Sequence, residues 1–84
     1  MFYKLYIKES CGFCKRAVEF MMRHKIEHVV LSQIDTTELI EEAKVQYDWP
    51  TVPIVVEVNG AAEKLIGGYV DMRKYFKNKG VKNV

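Results

Sequence analysis

Long apolar runs are missing from this chain. None approaches the ~18 residues that cross a membrane, and the first ten residues, MFYKLYIKES, lack the basic stretch and long apolar segment of a secretory signal. A cytoplasmic protein without membrane attachment is expected. Linkers, internal repeats and low-complexity segments are also absent, and 84 residues are too few for more than one hydrophobic core. Net charge is low, at +2, which argues against the strongly basic surface of a nucleic-acid binder. The one local bias, Arg73, Lys74, Lys77, Lys79 and Lys82 after Asp71, reads as a solvated helix face with cations where the macrodipole favours them.

Cysteine is scarce as well. The chain has only Cys11 and Cys14, in KESCGFCK. A disulfide between them closes so short a loop that its entropic effect on stability is small, and in a reducing compartment such bonds are rarely structural. The pair is better explained by chemistry than by stapling.

What is present suits one soluble domain: 49% hydrophobic residues are too many for a disordered chain. FYKLYI, residues 2–7, reads as a strand with Tyr3, Leu5 and Ile7 on one face and Phe2, Lys4 and Tyr6 on the other. From Gly12 to about His24 the spacing turns helical, placing Cys14, Ala17, Val18, Met21 and Met22 on one face. HVVLSQI, residues 28–34, is a second strand. Asp35 or Thr36 can then cap a helix carrying Leu39, Ile40, Ala43 and Tyr47 that ends before Pro50. Strands over 53–58 and 61–66 flank a tight turn at Asn59-Gly60. Gly67-Gly68 precedes a last helix over roughly 70–79, stopped near Gly80. The order β-α-β-α-β-β-α implies an α/β fold, one mixed four-stranded sheet flanked by helices, with strands one and two parallel through a right-handed crossover.

Three readings of the cysteines present themselves. A C-x-x-C close to a β-α-β pattern reads as a thioredoxin-like redox motif. Cys11 falls where strand meets helix, and free N–H groups and the positive end of the dipole stabilise a thiolate there, with Lys8 and Lys15 nearby. Cys14 lies one turn deeper on the apolar face, placed to attack a mixed disulfide on Cys11. A zinc site using Cys11, Cys14, His24 and His28 is the second reading. Ten helical residues separate Cys14 from His24, about 15 Å of axial rise, too far for one ion. The third reading is a pair of inert core thiols. His24 and His28 are expected at the surface without a catalytic role, Trp49 at the rim of a substrate groove or in packing, and Tyr69 in either place.

Lys8 three residues before the C-x-x-C, TVP at 51–53 and GGYVD at 67–71, in this order on this pattern of elements, give a sequence that resembles the glutaredoxin family. The resemblance covers almost the whole chain and implies a single glutaredoxin-like domain over 1–84 with a thioredoxin-like fold. It implies a thiol–disulfide oxidoreductase with glutathione as co-substrate, acting on protein disulfides and glutathionylated proteins, with no metal, nucleic acid or membrane among its partners. A monomer is expected, because no long apolar stripe is left over once the core is filled. Cys11 would be the nucleophile and Cys14 the resolving thiol. Lys8 would pair with a carboxylate of glutathione. Phe13 and Thr51 would line the site, and Val52 would offer its backbone to the cysteinyl portion beside a cis Pro53. Gly68 and Val70 would present backbone to the γ-glutamyl carboxylate at a helix N-terminus, and Asp71 would bind the α-amino group.

Two departures from the family pattern stand out. Gly12 and Phe13 replace the frequent proline and tyrosine, removing a hydroxyl, and Val70 stands where Ser or Thr is usual. The Gly12-Phe13 pair is also similar to C-G-F-S relatives that hold iron–sulfur clusters with glutathione, although Cys14 takes the serine's place. Two alternatives therefore accompany the main expectation: a thioredoxin-like electron donor reduced without glutathione, for ribonucleotide reductase for example, and an iron–sulfur carrier using Cys11 and glutathione.

Overall fold

A computed structural model describes residues 1–33 and 38–84. Its elements are β1 (Phe2–Lys8), α1 (Gly12–Arg23), β2 (His28–Gln33), α2 (Glu38–Tyr47), β3 (Ile54–Asn59), β4 (Ala62–Gly67) and α3 (Tyr69–Asn78). The order is the expected one. The expected strand end at Ile34 and helix cap at Asp35 or Thr36 lie outside the described residues.

The strands form one sheet in the order β2-β1-β3-β4, with β1 parallel to β2 and antiparallel to β3, and β3 antiparallel to β4. This is the thioredoxin-like α/β arrangement. Period-two alternation along β1 divides the core between the two faces. Tyr3 and Leu5 meet Ala17, Phe20 and Met21 of α1 and Met72 and Phe76 of α3, whereas Tyr6 lies with Ile40 and Ala43 of α2. Central β3 is apolar on both faces, with Ile54, Val55 and Val56 fully buried; each such side chain contributes about 1.5–3 kcal/mol. No helix among the described residues is long and apolar enough to cross a membrane.

Register places the site. Tyr6 pairs with Ile54 and Val55 with Gly67, so the end of β1, the start of β3 and the end of β4 reach the same sheet margin. The chain after β1 (Cys11), before β3 (Val52-Pro53) and after β4 (Gly68) therefore converges there. A register shift between Val55 and Val56 leaves Ile66 as an extra residue on β4 just before this margin.

Three local expectations change. The α1 apolar face includes Phe20 and excludes Met22, which is 66% exposed. Its stripe is rotated because α3 packs alongside, bringing the Phe20 and Phe76 ring centroids to 5.7 Å. His24, expected at the surface, is half-buried against Phe20, with centroids 4.4 Å apart. The hairpin turn sits at Gly60-Ala61, because Asn59 still pairs with Ala62, and Gly60 alone takes positive φ, 64°. Glycine first in the two-residue loop is the pattern of the type II′ turn.

All three helices end in the same closure. After α2, the Asp48 N–H bonds the Val45 carbonyl at 3.3 Å and the Trp49 N–H bonds the Lys44 carbonyl at 3.0 Å, with Asp48 at φ 51°. This Schellman arrangement satisfies late carbonyls of the helix and reverses the chain. Its consequence is positional: Trp49 is turned back toward the sheet margin.

Candidate active site

Cys11 occupies the N-cap of α1 in an extended conformation (φ −97°, ψ 114°), where its sulfur can serve the open helix end. The Cys14 N–H donates to Cys11 Sγ at 3.1 Å, and the Cys11 N–H reaches back to the Lys8 carbonyl at 3.2 Å. Cys11 is half-buried, whereas Cys14, one turn on, has no exposed surface. Burial, reinforced by the hydrogen bond and charge of the Cys11 sulfur, pushes the Cys14 thiol up to about 12. The two thiols are thus different in kind, one at the surface against backbone N–H and the other a buried thiol that retains its proton. Cys14 and His24 stand at opposite ends of α1.

Cys11 Sγ lies 3.9 Å from the Val52 carbonyl oxygen. The Val52–Pro53 peptide is cis, as the family resemblance implies, and Pro53 is buried. Beyond Val52 opens a cavity of about 370 Å³. Seven of the expected site positions line it: Phe13, Thr51, Val52, Pro53, Gly68, Val70 and Asp71. Trp49 and Tyr69 complete the wall. The Trp49 Nε1 is buried there without a hydrogen-bond partner among the described residues.

The far side is the start of α3. Gly68 is its N-cap, and its N–H donates to Asp71 Oδ2 at 3.0 Å. This helps satisfy the open helix end and fixes Asp71 beside the cavity. Gly67, at φ +123°, has no room for a side chain: a Cβ would lie 2.8 Å from Asp71 Oδ2 and 2.9 Å from its Cβ and Cγ.

Lys8 is placed elsewhere. It lines a second groove of about 320 Å³ with Ile7, Glu9, Cys11, Lys15, Val18 and Glu19. Cys11 therefore stands between two concavities, the larger made by the segment before β3, the start of α3 and Phe13, the other by the end of β1 and α1.

One feature had no counterpart among the sequence expectations. The Arg16 guanidinium carbon lies 5.4 Å from the Phe13 ring centroid, the Phe13 and Tyr69 centroids are 5.9 Å apart, and the Arg73 guanidinium carbon is 5.7 Å from the Tyr69 ring. The i,i+3 and i,i+4 spacings of the two Arg-aromatic pairs are visible in the sequence. Their union across α1 and α3 is a product of the fold.

The sheet with its helix-mounted C-x-x-C defines a thioredoxin-like redox protein. The glutaredoxin family model matches residues 4–61, more than half of the chain, and the chain belongs to that family. The match includes Lys8, Cys11, Cys14 and the Val52-Pro53 turn and stops short of α3. No curated protein matches the chain. Family and cysteine pair together indicate thiol–disulfide oxidoreductase chemistry in general.

Proposed function

We propose that this protein is a glutathione-dependent reductant of protein disulfides and of glutathione mixed disulfides. The observation that carries the reading is that the Cys11 sulfur borders, across the Val52 carbonyl, a cavity on which the N-terminus of α3 also opens. An extended tripeptide thiol fits such a trough. Its cysteinyl part lies along the Val52 backbone, its γ-glutamyl carboxylate meets the amides around Gly68–Val70, and its α-amino group meets Asp71.

For a glutathionylated substrate, the Cys11 thiolate attacks the glutathionyl sulfur and expels the substrate thiolate. A glutathione thiolate then attacks the same sulfur, freeing Cys11 and leaving oxidised glutathione. The amide that Cys14 aims at Cys11 forms a stronger, charge-assisted hydrogen bond when that sulfur is anionic. For a protein disulfide, the Cys11 thiolate bonds one substrate sulfur, which breaks the substrate S–S bond and expels the other sulfur as a thiolate. Cys14 then gives up its proton, attacks Cys11 and releases the second substrate thiol. Two glutathiones reduce the resulting Cys11–Cys14 disulfide.

Turnover of a small glutathione mixed disulfide with glutathione, glutathione reductase and NADPH tests the reading. Wild type and Cys14→Ser are expected to be active and Cys11→Ser silent. Silence from all three, with wild type still reducing a peptide disulfide stoichiometrically, would put the glutathione-independent electron donor in first place.

A further inference from the structure

The two helices beside Cys11 carry an uneven charge. α1 and α3 hold Lys15, Arg16, Arg23, Arg73, Lys74 and Lys77 against Glu19 and Asp71. α2, on the other face of the sheet, holds Glu38, Glu41 and Glu42 against Lys44. Three cations elsewhere have carboxylate partners: Lys4 pairs with Glu63 at 2.9 Å, Lys79 with Glu57 at 3.6 Å and Lys44 with Glu41 at 3.4 Å. Among the described residues no carboxylate lies within ion-pair distance of Arg16, Arg73, Lys74 or Lys77. Asp71 is turned onto the Gly68 N–H, and Glu19 lines the groove on the Lys8 side.

These free cations surround an apolar centre. Phe13 is 55% and Val70 59% exposed, and the Arg16–Phe13–Tyr69–Arg73 ladder holds both guanidinium groups over ring faces. The patch continues along α3 into a shallow cavity of about 230 Å³ bordered by Val70, Arg73, Lys74, Lys77 and Val84. An exposed phenylalanine beside a half-buried tyrosine, with stacked arginines and a cationic rim, has the anatomy of a protein-binding surface, where aromatics and arginine are enriched.

We propose that this face is a docking surface for acidic protein segments, selecting substrates whose reactive cysteine is flanked by Asp or Glu and an apolar side chain. The apolar side chain covers Phe13 and Val70 while the carboxylates meet Arg16 and Arg73. The proposal rests on Cys11 and Cys14 as the reacting pair and requires no glutathione. In the step concerned, the Cys11 thiolate displaces one thiolate from a peptide disulfide. The deprotonating Cys14 then displaces the other, so two peptide thiols are released as the Cys11–Cys14 disulfide forms.

Prereduced protein is mixed with symmetric peptide disulfides that differ only in flanking residues, acidic, neutral or lysine-bearing, and peptide thiol release is followed in a single turnover without glutathione. The acidic peptide is expected to react about tenfold faster than the lysine peptide at low salt. The ratio should fall toward one in 0.5 M NaCl, on the order of the screening expected for exposed charges. Arg16→Gln with Arg73→Gln should remove the discrimination and leave the neutral peptide's rate unchanged, and the Arg16→Lys, Arg73→Lys pair should restore most of it.

Equal wild-type rates for acidic and lysine peptides overturn the proposal, as does an equal loss for every peptide in the glutamine variant. Tight binding of a single-stranded oligonucleotide without peptide discrimination would overturn it in favour of nucleic acid. The small glutathione mixed disulfide, assayed alongside, separates the two readings. Turnover there with no peptide discrimination sinks only the docking surface, and discrimination without that turnover sinks only the glutathione dependence.

Discussion

Cys14 serves Cys11 with its backbone and keeps its own side chain out of solvent: its N–H lies 3.1 Å from Cys11 Sγ while its thiol is fully buried. One residue thus supports the surface sulfur and holds a second in reserve. The buried thiol stands at about 12 against an ordinary 9.0, and this has a consequence for stability. Below pH 9 the folded and unfolded chains both keep the proton. Between pH 9 and 12 the unfolded chain releases a proton that the folded chain retains, so this group lowers folding stability as pH rises through that window. By pH 10 the loss is on the order of 1 kcal/mol. Urea midpoints of reduced wild type should fall more steeply from pH 8 to 10 than those of Cys14→Ser, and parallel slopes would show that Cys14 titrates in the folded chain as it does in the unfolded one.

Much of this arrangement could be read from residue order, and what escaped did so for a physical reason. Alternation in β1, the Gly80 stop and the position of Cys11 ahead of an apolar helical stripe are local signals that stand where the sequence implies, whereas the hairpin turn falls one residue later than Asn59-Gly60. The rotation of α1 toward Phe20 and His24 depends on α3, about fifty residues away in sequence; periodicity within one helix cannot register such a neighbour. The Arg16–Phe13–Tyr69–Arg73 ladder was illegible on the same ground. The cavity behind Val52 required the convergence of three chain segments that only sheet register sets. The placement of Lys8 in the other groove likewise depends on which way the end of β1 faces.

Asp71 has two uses that a single substitution can separate. Its Oδ2 accepts the Gly68 N–H, and an asparagine retains that acceptor while losing the charge. Asp71→Asn is therefore expected to keep folding stability within about 0.5 kcal/mol of wild type. At the same time the KM for glutathione should rise about threefold to fivefold, the value of an exposed ion pair. Loss of stability with unchanged KM would make Asp71 purely a capping residue.

Two glycines should respond in opposite directions to the same added methyl. Gly67 is buried at φ +123°, with Asp71 occupying the space of a Cβ, whereas Gly12 has nothing within 4 Å. Gly67→Ala is expected to cost about 2–3 kcal/mol and to raise the glutathione KM by displacing Asp71. Gly12→Ala should leave stability unchanged or raise it by up to about 1 kcal/mol, through a more restricted unfolded chain. Denaturant midpoints and steady-state kinetics on both variants check the contrast, and equal destabilisation would contradict it.

Trp49 is the chain's one tryptophan and lines the larger concavity beside Cys11, while Lys8 and Lys15 border the other. Its emission therefore reports which of the two receives glutathione. Forming the Cys11–glutathione mixed disulfide in Cys14→Ser protein should place the tripeptide against the indole, whose buried Nε1 has no partner among the described residues, and shift or quench its fluorescence. Cys11→Ser treated in the same way should show no change. If turnover is intact and the emission is indifferent to the mixed disulfide, glutathione lies on the Lys8 side. Lys8→Gln, and not Asp71→Asn, would then be the substitution that raises the glutathione KM.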